Sequence, residues 1–390
     1  MNILGNRFTN MFILVISALF LRFYLINFLD EENALWVRIL TVIFILLIGA
    51  FFVLKKIAEI IEETTEVLSE RTKIASGLLQ SLGTAFPDMI LGITAAILSL
   101  RLVKDDYNMA INFAIIAAAT TFGSNIYNIG HAAWCVFRQN VSNKKEKMVL
   151  MVPGIKIMGT VIPMKDHVVR PSWKEVDASA NILNVLTLLT TITAVSMVIF
   201  GRVNDPSINM SGDLYRLIRP VGFFMLLLCI FTMYYFRKTK RKEILVQEIQ
   251  EEEKYYSKKP TWIILLNLAF AGIAILFAAE SMVLAIEVFC NITKMPFVVA
   301  GVLAGVIGCM GEMIVVHNFT VNPKGRIGDA LVGVAMDNIV TIMGASIVAI
   351  MGGIFLGGNA LILIFVITLC LNSILLWQIL ELKNFFIKKI

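Results

Sequence analysis

Gly83-Thr84-Ala85-Phe86-Pro87-Asp88 and, one apolar run later, Thr120-Thr121-Phe122-Gly123-Ser124-Asn125-Ile126-Tyr127-Asn128 place acid, hydroxyl and amide groups inside stretches otherwise suited to lipid. An acidic residue at the centre of a membrane helix costs about 2.5–3.5 kcal/mol on insertion scales, so it faces a partner, a polar cavity or an ion path. Asp88, Glu312 and Asp337 read as the carboxylates deep inside apolar runs. Pro87 removes a backbone donor, and with Gly83 it frees carbonyls near Gly83 and Thr84 to turn toward a cation. A plain packing kink would use the same residues. In the second stretch Ala117, Thr121, Ser124 and Asn128 recur at helical steps and share one face. Hard cations prefer such oxygens, although small polar faces also join helices with no ion between them.

The pattern occurs twice. Gly308-Cys309-Met310-Gly311-Glu312 is followed, one apolar run on, by Asp337-Asn338-Ile339-Val340-Thr341 and then Gly344-Ala345-Ser346. Aligning Asp88 with Glu312 and Ser124-Asn125-Ile126 with Asp337-Asn338-Ile339 sets Asn128 opposite Thr341. Apolar runs of spanning length lie near 11–29, 35–54, 74–100, 108–137 and 181–201, and then near 216–236, 261–289, 297–320, 326–351 and 357–380. The expected fold is all-α integral membrane, with about ten transmembrane helices in two inverted five-helix repeats. Residues 1–215 would form the first repeat and 216–390 the second. Five is odd, so the second copy enters the bilayer from the opposite side and the two motif pairs meet near the midplane.

Composition agrees. Of the 390 residues 58% are hydrophobic and 16% charged, against roughly 45–50% and 25% in soluble domains. The net charge of +6 sits mainly in loops rather than beside stacking aromatics, which argues against nucleic acid. With the N-terminus cytoplasmic, most of the 34 Lys and Arg residues fall inside, at Lys55-Lys56, Lys144-Lys145-Glu146-Lys147, Arg237–Lys242, Lys324-Gly325-Arg326 and Lys388-Lys389. The positive-inside rule therefore sets both termini in the cytoplasm, in a plasma or bacterial inner membrane. The first run contains Arg22 and has no small-residue cleavage site, so it reads as a helix rather than a signal peptide. The charged stretch 237–259 reads as a solvated linker between the halves. Val149-Leu150-Met151-Val152-Pro153-Gly154, inside the long connection 138–180, reads as membrane-surface or strand-like. The five dispersed cysteines have no metal-ligand spacing and read as packing residues.

The two motif pairs, within 74–137 and 297–351, resemble the alpha repeats of the calcium/cation antiporter superfamily, in its sodium/calcium exchanger branch. That branch reads Gly-Thr-Ser-x-Pro-acid and then Gly-Ser-Asn-Ile-aromatic-Asn, which Gly83–Asp88 and Gly123–Asn128 follow closely. The resemblance implies that Asp88 and Glu312 are the central metal ligands, helped by Thr84, Ser124 and Asn128, with Asp337 and Thr341 on the opposing helix. Ala85 replaces the usual Ser, and the second repeat lacks the Thr-Ser and Pro. Thr341 stands where the family often has an acid or amide, and Asp337 puts a carboxylate where Ser is usual. Gly308-x-x-x-Glu312 is similar to the Gly-x-x-x-Glu signature of cation/proton exchangers.

The expectation is a non-enzymatic antiporter that exchanges Ca2+ for Na+, or alternatively for H+, by alternating access. Its partners are inorganic cations and the lipid bilayer; no cofactor and no nucleic acid is expected, and oligomeric state is left open. An intramembrane aspartyl protease would need Gly-x-Gly-Asp, but Arg326-Ile327-Gly328-Asp329 has Arg at the first position. A cation channel would conduct without a counter-ion. His131 reads as a packing residue at the cytoplasmic end of its helix, His317 forms no HExxH zinc motif, and His167 lies in a loop. A cysteine introduced at Lys242 should react with an impermeant maleimide only in permeabilised cells, and one at Asn209 should react in intact cells; the reverse pattern would invert the topology.

Overall fold

Long apolar runs fold as helices in lipid because each backbone polar group must find its partner within the segment. In the computed structural model, which describes residues 7–57, 60, 64, 67–68, 71, 76–164, 173–203, 213–240, 256, 259–321 and 327–387, every expected span is helical. α1 (Arg7–Phe23) continues into a 3-10 turn at Leu25–Leu29, and α2 (Leu35–Leu47) into a π-helical stretch at Ile48–Leu54. α3 (Ser76–Leu102), α4 (Tyr107–Lys145), α5 (Trp173–Phe200) and α6 (Arg219–Lys240) follow. The rest are α7 (Thr261–Thr293), α8 (Phe297–Gly308), α9 (Met310–Val321), α10 (Ile327–Met351) and α11 (Gly358–Ile387). Among the described residues seven helices are long and apolar enough to cross a bilayer, and shorter apolar segments lie at Met89–Leu102, Arg219–Tyr235 and Phe297–Val306. The linker 237–259 and His167 lie largely or wholly outside the described residues.

Local chemistry sets the ends. The Asp106 side chain accepts from Met109 N–H at 2.9 Å and caps α4, satisfying one of its orphan donors. The helix stops 39 residues later, where Glu146 turns left-handed (φ 50°). The eighth span breaks between α8 and α9 at Cys309. Gly83 and Pro87 led us to expect the loosened helix in the first repeat, yet α3 runs unbroken past Pro87. The break falls instead among Gly305, Gly308 and Gly311, whose spacing weakens a helix through backbone entropy.

The packing repeats by exchange of halves. α3 lies on α10 as α8 lies on α4, and α4 lies on α11 as α10 lies on α5. α2 packs on α7 and α5 on α11, so these pairs straddle the same pseudo-two-fold. α1 and α6 depart from it, α1 lying on α7 and α6 on α10. Two small sheets occupy the ends. β1 (Val149–Val152) and β2 (Ile155–Val161) form an antiparallel hairpin, the strand-like segment expected there. β3 (Arg202–Val203), β4 (Leu214–Arg216) and β5 (Phe355–Gly357) form a three-stranded antiparallel sheet at the opposite end.

The α4–α8 contact is made by backbone. A Cβ on Gly305 would lie 2.8 Å from both Ser124 N and Thr120 O, one on Gly301 2.6 Å from Ala119 Cβ, and one on Gly123 2.9 Å from Val302 Cα. Small residues at such crossings replace the hydrophobic drive that lipid cannot supply. Gly305→Val should therefore cost about 1–3 kcal/mol of overpacking and lower the melting temperature of the detergent-solubilised protein. Gly272→Ala, where a Cβ meets nothing within 4 Å, should leave that temperature unchanged.

Candidate functional site

Where α4 and α10 cross near their middles, Asn128 Nδ2 donates to Asp337 Oδ2 at 3.1 Å. Both residues are buried. An ionised carboxylate only accepts, so the amide must turn its nitrogen to Asp337 and its oxygen away. That oxygen, Asn128 Oδ1, is buried and has no hydrogen-bond partner among the described residues, as are Asn125 Oδ1, Asn338 Oδ1 and Thr94 Oγ1. Buried polar atoms are normally satisfied, and the Asn128 oxygen beside Asp337 is thus one that could take a cation.

The hydroxyls spend their protons on the backbone. Ser124 Oγ donates to Thr121 O at 2.9 Å, Thr121 Oγ1 to Ala117 O at 2.9 Å, and Thr341 Oγ1 to Asp337 O at 3.0 Å. Each oxygen keeps lone pairs for a cation, and its position is fixed by the helix that carries it. Ser124 and Thr341 are fully buried. Gly92 lets α3 reach this face, since a Cβ there would lie 2.5 Å from Thr121 Oγ1.

Glu312 is buried in the first turn of α9, just past the break at Cys309. α9 packs on both α4 and α10. A negative group in the first turn of a helix is favoured by the macrodipole. Of the expected ligands, the structure thus joins Asn128 to Asp337, sets Ser124 and Thr341 one turn from them, and puts Glu312 on a helix packed against both. The side chains of Thr84 and Asp88 lie outside the described residues. Among the described residues no three His, Cys, Asp or Glu side chains converge on one point. The described portion is a set of oxygens around Asp337, the donor type of a hard cation and not of a zinc or copper centre.

Two further acids escape notice in the sequence. Glu280 and Glu287 also lie within an apolar span, on α7. Glu280 Oε1 pairs with Arg22 Nη2 at 2.9 Å and fastens α1 to α7. Glu287 is buried and takes a hydrogen bond from Asn291. Arg22 was visible as the basic residue of the first span, and its need for an acid in lipid was the available signal. His131 also has more around it than its sequence neighbours suggested. Its ring stacks on that of His317, with centroids 5.9 Å apart and planes at 18°, and its Nε2 lies 3.5 Å from Cys135 Sγ.

No protein-family model and no curated protein matches the chain. Solved structures do. A crystal structure of the H+/Ca2+ exchanger CAX aligns over 98% of this chain and 96% of its own, at 13% identity and a TM-score of 0.52. The sodium-calcium exchanger NCX_Mj, soaked with Na+ and Sr2+, aligns over 89% and 96%, at 16% identity and a TM-score of 0.45. At such identities the likeness to CAX is one of fold: along nearly its whole length this chain adopts the all-α membrane architecture of an exchanger.

Proposed function

We propose that the protein is a cation antiporter that carries Ca2+ in exchange for Na+ by alternating access. The buried Asn128–Asp337 contact, which joins the equivalent helices of two oppositely directed repeats, is the observation that carries this reading. A site at the repeat interface near the midplane can be exposed to either side by rocking one half against the other. The halves are residues 1–215 and 216–390. Asp88, Glu312 and Asp337 supply charge, while Asn128, Thr84, Ser124 and Thr341 supply neutral oxygens. Ca2+ takes six to eight oxygens in flexible geometry, which suits mixed carboxylate, amide and hydroxyl donors. Coupling follows from electrostatics. An empty site full of carboxylates is costly to carry through lipid, so the halves move only when cations neutralise it. Competing cations use the same oxygens, and net flux needs exchange.

A second reading, with H+ as the counter-ion, is favoured by Asp337. A carboxylate already held by an amide can take a proton in place of a monovalent ion, and Asp337 stands where a hydroxyl would serve Na+. No covalent chemistry is required in either case. The charge pattern supports a multi-pass protein with both termini cytoplasmic, in a plasma or bacterial inner membrane.

In reconstituted vesicles, labelled Ca2+ should accumulate against an imposed Na+ gradient. Accumulation with a pH gradient alone selects the second reading. Ca2+ current with no counter-ion gradient would make the protein a channel, and no gradient-dependent Ca2+ flux would sink the proposal. Glu312→Gln should reduce flux to that of empty vesicles while the protein stays folded and monodisperse. Asp337→Asn should raise the half-saturating Ca2+ concentration about tenfold or more, equivalent to about 1.4 kcal/mol.

A further inference from the structure

The β1–β2 hairpin turns back along the lower third of α4 instead of standing away from the protein. Trp134 Nε1 donates to Met151 O at 3.2 Å, and Arg138 Nε donates to Leu150 O at 3.0 Å. With a rise of 1.5 Å per residue, Trp134 lies about 9 Å and Arg138 about 15 Å along α4 from Asn128. With Asn128 at the midplane, as the proposed function has it, and a hydrocarbon half-thickness of about 15 Å, the hairpin's turn sits at or below the membrane surface.

Which way it faces follows from the helix wheel. Phe137 is nine residues from Asn128, half a turn round α4, and it is exposed beside Trp134 with ring centroids 5.7 Å apart. Arg138 lies over the Trp134 ring at 5.8 Å. On the α4 wheel Phe137 and Trp134 lie about 180° and about 120° from Asn128, and exposed aromatic rings beside a basic group are the pattern of a lipid interface. Around this belt the hairpin exposes apolar side chains: Ile157 is 97% and Ile155 48% exposed. Exposed lysines, Lys145, Lys147 and Lys156, flank them, with Glu146 among them.

The hairpin's hydrogen bonding fits the same environment. A strand pair in lipid must satisfy its outer edges, because no water does so. Protein side chains perform that task here. Besides Trp134 and Arg138, His317 Nε2 lies 2.8 Å from Met158 O, Ser142 Oγ donates to Val161 O at 3.3 Å, and Gln139 Nε2 donates to Ile162 O at 2.9 Å. Of these donors Gln139 and Ser142 are buried, so part of the hairpin's carbonyl edge is met by protein away from water.

We infer that the β1–β2 hairpin is a membrane-seated element: Ile155 and Ile157 enter the acyl chains of the leaflet on the Lys144–Lys147 side, and Lys145, Lys147 and Lys156 bind its anionic headgroups. Lysines of this kind bury their stems in the interface and hold their ammonium groups at phosphate level. Through Met158 O and His317 the hairpin touches α9, the helix that bears Glu312.

Spin labels read this directly. In a Cys370→Ser background, Ile157→Cys is labelled in phosphatidylcholine nanodiscs containing phosphatidylglycerol, with Leu363→Cys as the lipid reference and Asp105→Cys as the water reference. The ratio of oxygen to nickel-chelate collisions at position 157 should match the Leu363 site and exceed the Asp105 site several-fold. A ratio equal to that of the Asp105 site overturns the inference. Adding Lys156→Glu should lower the ratio at 157 in the phosphatidylglycerol discs; an unchanged ratio removes the anionic headgroups from the proposal. Ile155→Cys repeats the reading at a second position.

Discussion

A carboxylate buried inside an apolar helix must be met by another group, and here Asp337 is met by Asn128 on a helix from the other half of the chain. That requirement organises the centre. Four spans, α3, α4, α8 with α9, and α10, pack together there, because the polar groups they carry do not tolerate lipid alone. The outer helices then shield a polar middle, which inverts the usual arrangement of a soluble domain.

Close approach makes this arrangement specific. Lipid tails are as apolar as leucine, so burying an apolar face against protein gains little, and dispersion between well-fitted surfaces must hold the helices. Gly123, Gly301 and Gly305 let α4 and α8 touch backbone to backbone. Ser124 sits at this crossing with Gly305 against its own N–H, so the same contact that packs the helices fixes an oxygen of the proposed site. Packing and ligand geometry are therefore one constraint, and a bulky residue at Gly305 would disturb both.

Much of this was legible in the residues. The ten spans followed from apolar run length, and the inverted repeat from matching Asp88 with Glu312 and Ser124 with Asp337. The equivalence of α4 and α10 was thus written in Ser124-Asn125-Ile126 and Asp337-Asn338-Ile339. Three features were not legible. The helix break at Cys309 follows Gly305, whose crowding against α4 is a tertiary fact, whereas Pro87, the obvious breaker, sits in a continuous helix because a membrane helix can lose one hydrogen bond and persist. The Arg22–Glu280 pair joins residues 258 apart, and no local pattern announces such a partner. The unequal placement of α1 on α7 and α6 on α10 is likewise invisible to hydropathy, which counts helices without arranging them.

The three-stranded sheet carries a mechanical implication. β4 hydrogen-bonds on one side to β3, at the end of α5, and on the other to β5, in the connection between α10 and α11. Main-chain ladders resist stretching far more than side-chain contacts do, so the loops of both halves are stitched into one ribbon at that surface. At the opposite surface the described ladder, β1–β2, is closed upon itself. If the halves rock as the proposed exchange requires, this ribbon would pin them like a door on its jamb, and the larger sweep would belong to the opposite rim.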